Sequence, residues 1–90
     1  MKITKTLTIL NKLGLHARAA TKLVELASKY QSDIIISQDD QAAPANSVIA
    51  LLMLGSGKGK QVTVECSGVD AENAMSEIEN LIANKFDEGE

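Results

Sequence analysis

The first ten residues alternate between polar and apolar side chains, and this alternation predicts a β-strand. Ile3, Leu7 and Ile9 share one face of that strand, and three threonines line the other. Lys5 stands among the apolar positions. Residues 62–66 repeat the alternation, with Cys66 on the apolar face, so they predict a second clear strand.

A β-branched run followed by a turn signal predicts a hairpin in the middle of the chain. Residues 34–36 are three consecutive isoleucines, and Asp39 and Asp40 after them are typical of a turn. Residues 41–45 form a weaker second arm. Because Pro44 has no N–H for a ladder hydrogen bond, we expect this arm at an edge of the sheet.

Three further segments have helical patterns. In residues 17–29 the apolar side chains fall at i, i+3, i+4 and i+7: Ala20, Leu23, Val24 and Ala27. Residues 48–54 are apolar on nearly every side, with Asn46 or Ser47 as the N-cap. A last long helix follows its predicted N-cap Asp70, and we expect Phe86 and the acidic residues after it to fray. Its apolar stripe comprises Ala71, Ala74, Met75, Ile78 and Ile82.

The predicted order is therefore β-α-β-β-α-β-α, without an internal repeat or a linker. An antiparallel sheet covered by helices on one face satisfies this order, because the polar strand faces can then remain in water. We expect an α+β sandwich in which residues 1–90 form one domain.

Composition narrows the classes of function. The net charge of −3 argues against broad nucleic-acid binding. Cys66 is the only cysteine, which excludes an intramolecular disulfide and a CxxC metal or redox pair. The chain has no apolar run of about 18 residues and no signal-peptide pattern at its start. We therefore expect a cytoplasmic protein that binds neither membrane nor nucleic acid and needs no metal or cofactor.

The candidate chemistry lies where the first strand has ended and the first helix begins. His16 is the only histidine, and Arg18 follows two residues later. The first turn of a helix offers unpaired N–H groups and partial positive charge, which suit an anion. A neutral imidazole there is well placed to attack phosphorus, and a guanidinium can hold two phosphate oxygens. The residues alone equally allow a surface histidine that only caps the helix.

Residues 14–18, Gly-Leu-His-Ala-Arg, followed by Ala20 and Thr21, resemble the active-site signature of the HPr family, the histidine phosphocarriers of the phosphotransferase system. Residues 46–54 resemble the second motif of that family at the expected distance. With residue 45 included, they are more similar to the nitrogen-related branch, called NPr, than to the sugar-transport branch. The resemblance implies an open-faced β-sandwich with an antiparallel sheet in the order 1-4-2-3 and three helices on one face.

The resemblance also implies the roles of individual residues. It makes His16 the phosphoryl acceptor through Nδ1, and Arg18 the residue that stabilises the phosphate together with the backbone amides of Ala17 and Arg18. It implies an enzyme I-type donor, an EIIA-type acceptor and a monomeric carrier. Ala19 departs from the family, which usually has proline there. Ser47 matches a regulatory phosphorylation site of some Gram-positive members, although we favour a simple N-cap.

The predicted second helix, residues 48–54, has more apolar residues than one buried face of a helix can hold. Leu51 and Leu54 are expected inside, and the remaining apolar residues are predicted to form an exposed docking surface for both partners. The resemblance supports this, because the corresponding helix flanks the active histidine. The predicted partner-binding residues are Thr21, Val48, Ile49, Leu52 and Met53.

Other classes of function remain open at this point. Residues 55–60 fit neither phosphate-loop pattern and predict a flexible connector. A carrier of the sugar-transport system and a non-transferring binding module are both compatible with the same fold. An acyl carrier would use Ser47 to hold a prosthetic arm, but such carriers are helical bundles and the alternating strands argue against one.

Overall fold

The computed structural model describes residues 1–87 of the chain. Within them the seven predicted elements form in the predicted order, followed by a short C-terminal turn at Lys85–Asp87. The strands are β1 (Lys2–Thr8), β2 (Asp33–Gln38), β3 (Gln41–Pro44) and β4 (Gln61–Ser67). The helices are α1 (Ala17–Ala27), α2 (Val48–Leu54) and α3 (Ala71–Ala83).

The four strands form an antiparallel sheet in the order β1-β4-β2-β3. Strand β4 is central, and it pairs with β1 on one side and with β2 on the other. Strand β3, which ends at Pro44, lies at an edge as the proline predicted. The order 1-4-2-3 and the α+β open-faced sandwich are therefore confirmed.

One face of the sheet carries the core, and the helices cover it. Helix α3 packs on β1 and β4, α2 packs against β2 and β3, and α1 lies beside both helices. The strand side chains that face the helices are buried, whereas those on the opposite face stay partly or fully exposed, as the period-two pattern predicted. The buried strand residues are Ile34, Ile36, Ala43, Val62, Val64 and Cys66. No helix within residues 1–87 has the length and apolar character needed to cross a lipid bilayer.

Lys5 occupies an apolar-side position without being buried. It pairs with the buried Val64 of β4, but β1 is an edge strand and Lys5 remains exposed there. Its Nζ reaches the Oε1 atom of Glu79 on α3 at 2.8 Å. The long aliphatic stem covers apolar surface while the ammonium group remains at the solvent boundary.

Asp70 precedes α3 as predicted, but its side chain does not cap that helix. The carboxylate instead accepts hydrogen bonds from the N–H of Gln31 at 2.8 Å and from the N–H of Ser32 at 3.0 Å. The Ser32 hydroxyl also donates to it. The prediction of a side-chain N-cap was wrong because a distant segment, the link between α1 and β2, supplies better donors.

The prediction that Phe86 frays was also wrong. Phe86 is fully buried in the core, and Lys22 of α1 donates a hydrogen bond from Nζ to its carbonyl oxygen at 2.8 Å. The chain reverses direction through positive φ angles of 55° at Lys85, 55° at Phe86 and 63° at Asp87. Burial of the only phenylalanine stabilises this strained backbone. Glu88 and Glu90 lie outside the described residues.

Candidate functional site

His16 is the N-cap residue of α1. Its backbone is extended, with φ −80° and ψ −178°, and its carbonyl oxygen accepts the first helical hydrogen bond, from the N–H of Ala20 at 2.8 Å. Its side chain is half-buried, and Nδ1 accepts a hydrogen bond from the backbone N–H of Arg18 at 3.3 Å. The capping interpretation and the active-site interpretation are thus compatible, because the imidazole caps the helix and faces its N-terminus at once.

This hydrogen bond defines which ring nitrogen faces the helix. An N–H group can donate to Nδ1 only when that nitrogen carries a lone pair, so the neutral imidazole has its proton on Nε2. Nδ1 is therefore the ring nitrogen whose lone pair is directed at the first turn of α1. That turn contains no acidic side chain, so the partial positive charge of the helix N-terminus can attract an anion.

Arg18 and Thr21 lie on the exposed surface beside this turn. Arg18 is the second residue of α1 and is exposed. Thr21 is exposed as well, and its hydroxyl donates to the carbonyl oxygen of Ala17 at 2.8 Å. One helical turn therefore presents an exposed guanidinium, the Arg18 amide and the imidazole on the same end of the molecule.

Helix α2 begins at Ser47, not Asn46, and presents an apolar surface beside α1. The Ser47 hydroxyl oxygen accepts a hydrogen bond from the N–H of Ala50 at 3.1 Å, so its interpretation as an N-cap is confirmed. Leu51 and Leu54 are buried as predicted. The exposed fractions are 72% for Ile49, 39% for Leu52 and 76% for Met53, while Val48 is half-buried.

Two other segments, which were not predicted from the sequence, contribute to this end of the molecule. Leu13 is 62% exposed and Leu10 is 41% exposed, shortly before His16. Ser56, in the predicted flexible connector, is only 3% exposed and accepts a hydrogen bond from the N–H of Leu15 at 2.8 Å. The connector is therefore packed against the residues that precede His16. The leucines interrupt a polar loop and could have been found by that signal, but no local pattern marks Ser56.

Comparison with known proteins is consistent with this geometry. Residues 3–84 match the family model described as the PTS HPr component phosphorylation site. The chain belongs to the HPr family of phosphotransferase-system phosphocarriers. A phosphocarrier protein NPr of Shewanella violacea is 51% identical over 87 residues, which cover 97% of this chain and 96% of the relative. A phosphocarrier protein HPr of Cupriavidus necator is 46% identical, with coverage of 92% and 93%.

A solved structure extends the similarity to the backbone. The crystal structure of an HPr protein from Thermoanaerobacter tengcongensis superposes with a TM-score of 0.91 at 37% identity. The superposition covers 96% of this chain and 97% of that one. The family and the fold are therefore those that the two motifs indicated.

Proposed function

We propose that this HPr-family protein accepts a phosphoryl group on Nδ1 of His16 from an enzyme I-type donor and transfers it to an EIIA-type acceptor. The observation that carries the proposal is the position of Nδ1, which bears a lone pair and faces the N-terminus of α1 at 3.3 Å from the Arg18 amide nitrogen. Ala17 and Arg18 begin that helix, and the Arg18 amide donates to Nδ1.

The transfer step needs little from this chain beyond position and charge. The Nδ1 lone pair forms the new bond to phosphorus, while the bond between phosphorus and the donor atom breaks and its electron pair stays with the donor. The ring becomes cationic during attack, and the proton on Nε2 can then leave to solvent. Transfer onward reverses these events, so the protein is a carrier and completes no turnover alone.

The phosphorylated state gains interactions that the free state lacks. The Arg18 N–H that donates to Nδ1 can donate to a phosphate oxygen once Nδ1 is bonded to phosphorus. The Arg18 guanidinium is exposed within the same turn and suits two phosphate oxygens at once. The N-terminus of α1 carries a partial positive charge that no acidic side chain of its first turn offsets, and this charge also stabilises a phosphoryl dianion.

The nitrogen-related system is the branch we favour. The 51% identity with an NPr protein supports this branch. Residues 45–54, which contain the second motif, support it too, because they are more similar to the nitrogen-related branch than to the sugar-transport branch. The 46% identity with an HPr protein keeps a sugar-transport carrier as the second candidate. A non-transferring module would share the fold but would not need the lone pair on Nδ1 to face a phosphate site.

The experiment that tests this function is phosphorylation by purified donors of the two branches. The protein is incubated with phosphoenolpyruvate and either enzyme I-type donor, and its intact mass is measured before and after acid treatment. We expect an acid-labile phosphate that appears faster with the nitrogen-branch donor and is absent from the His16→Ala variant. Labelling of that variant, or no labelling of the wild type by either donor, would contradict the proposal.

A further inference from the structure

The two residues before His16 are held from outside α1. The N–H of Leu15 donates to the carbonyl oxygen of Ser56 at 2.8 Å. Gly14, with φ +66°, lies so close to the same loop that a Cβ atom there would collide with the Ser56 carbonyl and lie 2.8 Å from the Cα of Gly57. The backbone that leads into His16 therefore packs against Ser56 and Gly57.

Ser56 is itself fixed by the sheet. Its side chain is almost fully buried, and its hydroxyl donates to Oε1 of Gln38, the last residue of β2, at 2.5 Å. The other end of the same loop is tied to the end of β1, because Gly59 donates to the carbonyl oxygen of Ile9 at 2.8 Å. A continuous path of hydrogen bonds thus runs from Gln38 through Ser56 to Leu15.

This path matters because the cap contact of His16 is weak. An N–H to Nδ1 distance of 3.3 Å lies beyond the usual range for a strong hydrogen bond, so it does not hold the imidazole in place alone. The backbone that leads into His16 also contributes to the direction of the ring. Transfer to phosphorus requires an aligned approach, and small misplacements of a reacting group slow such reactions strongly.

We propose that Ser56 is a positioning residue for phosphoryl transfer. The hydrogen bond from its hydroxyl group to Gln38 keeps its carbonyl oxygen within hydrogen-bond distance of the Leu15 N–H. This arrangement fixes the direction of Nδ1 on His16. The proposal rests on the proposed function of His16. It assigns no contact between Ser56 and the phosphoryl group.

The chain supplies a matched control in Ser32. Both serines are nearly buried, at 3% for Ser56 and 8% for Ser32, and each hydroxyl donates to a side-chain oxygen at 2.5 Å. Ser32 precedes β2 at the end of the sheet where β1 begins, whereas His16 follows the other end of β1. Ser56→Ala and Ser32→Ala therefore remove comparable bonds, near the site and far from it.

The test measures phosphorylation of both variants over a range of donor concentrations, together with hydrogen exchange of the Leu15 amide. We expect Ser56→Ala to lower the rate at saturating donor by about 3- to 10-fold, with KM unchanged and faster exchange at Leu15. Ser32→Ala should leave both quantities at wild-type values. An unchanged rate in Ser56→Ala, or an equal loss in both variants, would overturn the proposal.

Gln38 provides an independent arm in case Ser56→Ala does not fold. Gln38→Ala removes the acceptor and should reproduce the slow transfer, whereas Gln38→Glu keeps an acceptor oxygen and should retain the rate. Equal rates for the two Gln38 variants would contradict the positioning role. Failure of the proposed function is distinguishable, because it would leave the wild type itself unphosphorylated.

Discussion

In the proposed function, the helix cap and the phosphoryl group would compete for Nδ1 of His16. In the free protein that nitrogen accepts the Arg18 N–H and caps α1. In the phosphorylated protein Nδ1 would be bonded to phosphorus, and a phosphate oxygen would take over as the acceptor. The helix N-terminus therefore keeps a hydrogen-bond partner in both states, so the change of state need not disturb the helix.

Arg18 allows a prediction at the scale of one residue. Its side chain is exposed and outside the core, so Arg18→Ala should leave the melting temperature unchanged. Loss of a bidentate partner for phosphate should weaken its stabilisation by about 1–3 kcal/mol and slow phosphorylation by about 10-fold or more. Thermal unfolding and transfer kinetics on the same preparation check both parts. Unchanged kinetics would place Arg18 among the ordinary surface residues.

The departure at Ala19 has little structural consequence. Ala19 is fully buried, and the first helical hydrogen bond comes from the next residue, Ala20. The N–H of residue 19 thus lies ahead of the hydrogen-bond ladder, where proline is tolerated but not required. Alanine has the highest helix propensity, and α1 begins at Ala17 as predicted.

At the scale of elements, α2 separates its buried and exposed residues as its sequence predicted, except that Val48 is half-buried against the core. Its bounds, Val48–Leu54, match the predicted ones, because Ser47 caps the start and Gly55 ends it with φ 65°. Ile49 and Met53 are one turn apart and both more than 70% exposed, at 72% and 76%. Exposed aliphatic residues on a helix beside the proposed transfer site are what a docking surface for a partner would need.

The proposed docking role of α2 can be tested by placing a charge on its exposed face. Ile49→Glu should keep the fold, since the side chain is already in solvent, but weaken binding of both donor and acceptor by at least about 1 kcal/mol. Val69→Glu is the matched control, because Val69 is 86% exposed and follows the far end of β4. NMR titrations with each partner give both affinities. Shifts confined to the open sheet face, with residues 16–24 and 47–54 unmoved, would contradict this surface.

Asp70 joins two elements, and its ionisation should appear in the stability. Hydrogen bonds from the Ser32 hydroxyl and then from the backbone N–H of Gln31 lower the pKa of Asp70 below its usual 3.8. Because the pKa is lowered in the folded state, ionised Asp70 stabilises the fold above its pKa in the unfolded chain. This stabilisation is lost as the pH falls through the pKa of Asp70 in the folded protein. Asp70→Asn should therefore lower the melting temperature near pH 7, with a difference that shrinks below about pH 4. A difference that is constant from pH 7 to pH 2.5 would contradict it.

The elements that the sequence predicted well are those with a local signal. Alternation located β1 and β4, and the cap with its following apolar run located α2. The three errors share a different cause. Phe86 is buried because the chain turns through positive φ angles at residues that are not glycine. The Asp70 carboxylate accepts hydrogen bonds from Ser32, thirty-eight positions away, instead of capping its own helix. Ser56 is buried where it contacts Gly14. Each depends on the packing of distant segments, which no local pattern encodes.

For the whole molecule, periodicity predicted an antiparallel sheet with helices on one face but not the order of its strands. The order β1-β4-β2-β3 came from the family resemblance, and it places the central β4 far along the chain from β1 and β2. This order brings the loop before β4 next to the end of β1. Ser56 thereby meets the residues that precede His16, so the topology itself builds the support of the site.

The most direct test of the account is to locate the phosphoryl group on the ring of His16. The protein labelled with ¹⁵N is phosphorylated by its donor and phosphoenolpyruvate, and the ring nitrogens are observed by NMR with coupling to ³¹P. We expect the coupled nitrogen to be Nδ1, and the Arg18 amide signal to shift as its acceptor changes from Nδ1 to a phosphate oxygen. Phosphate on Nε2, or on any residue other than His16, would contradict it.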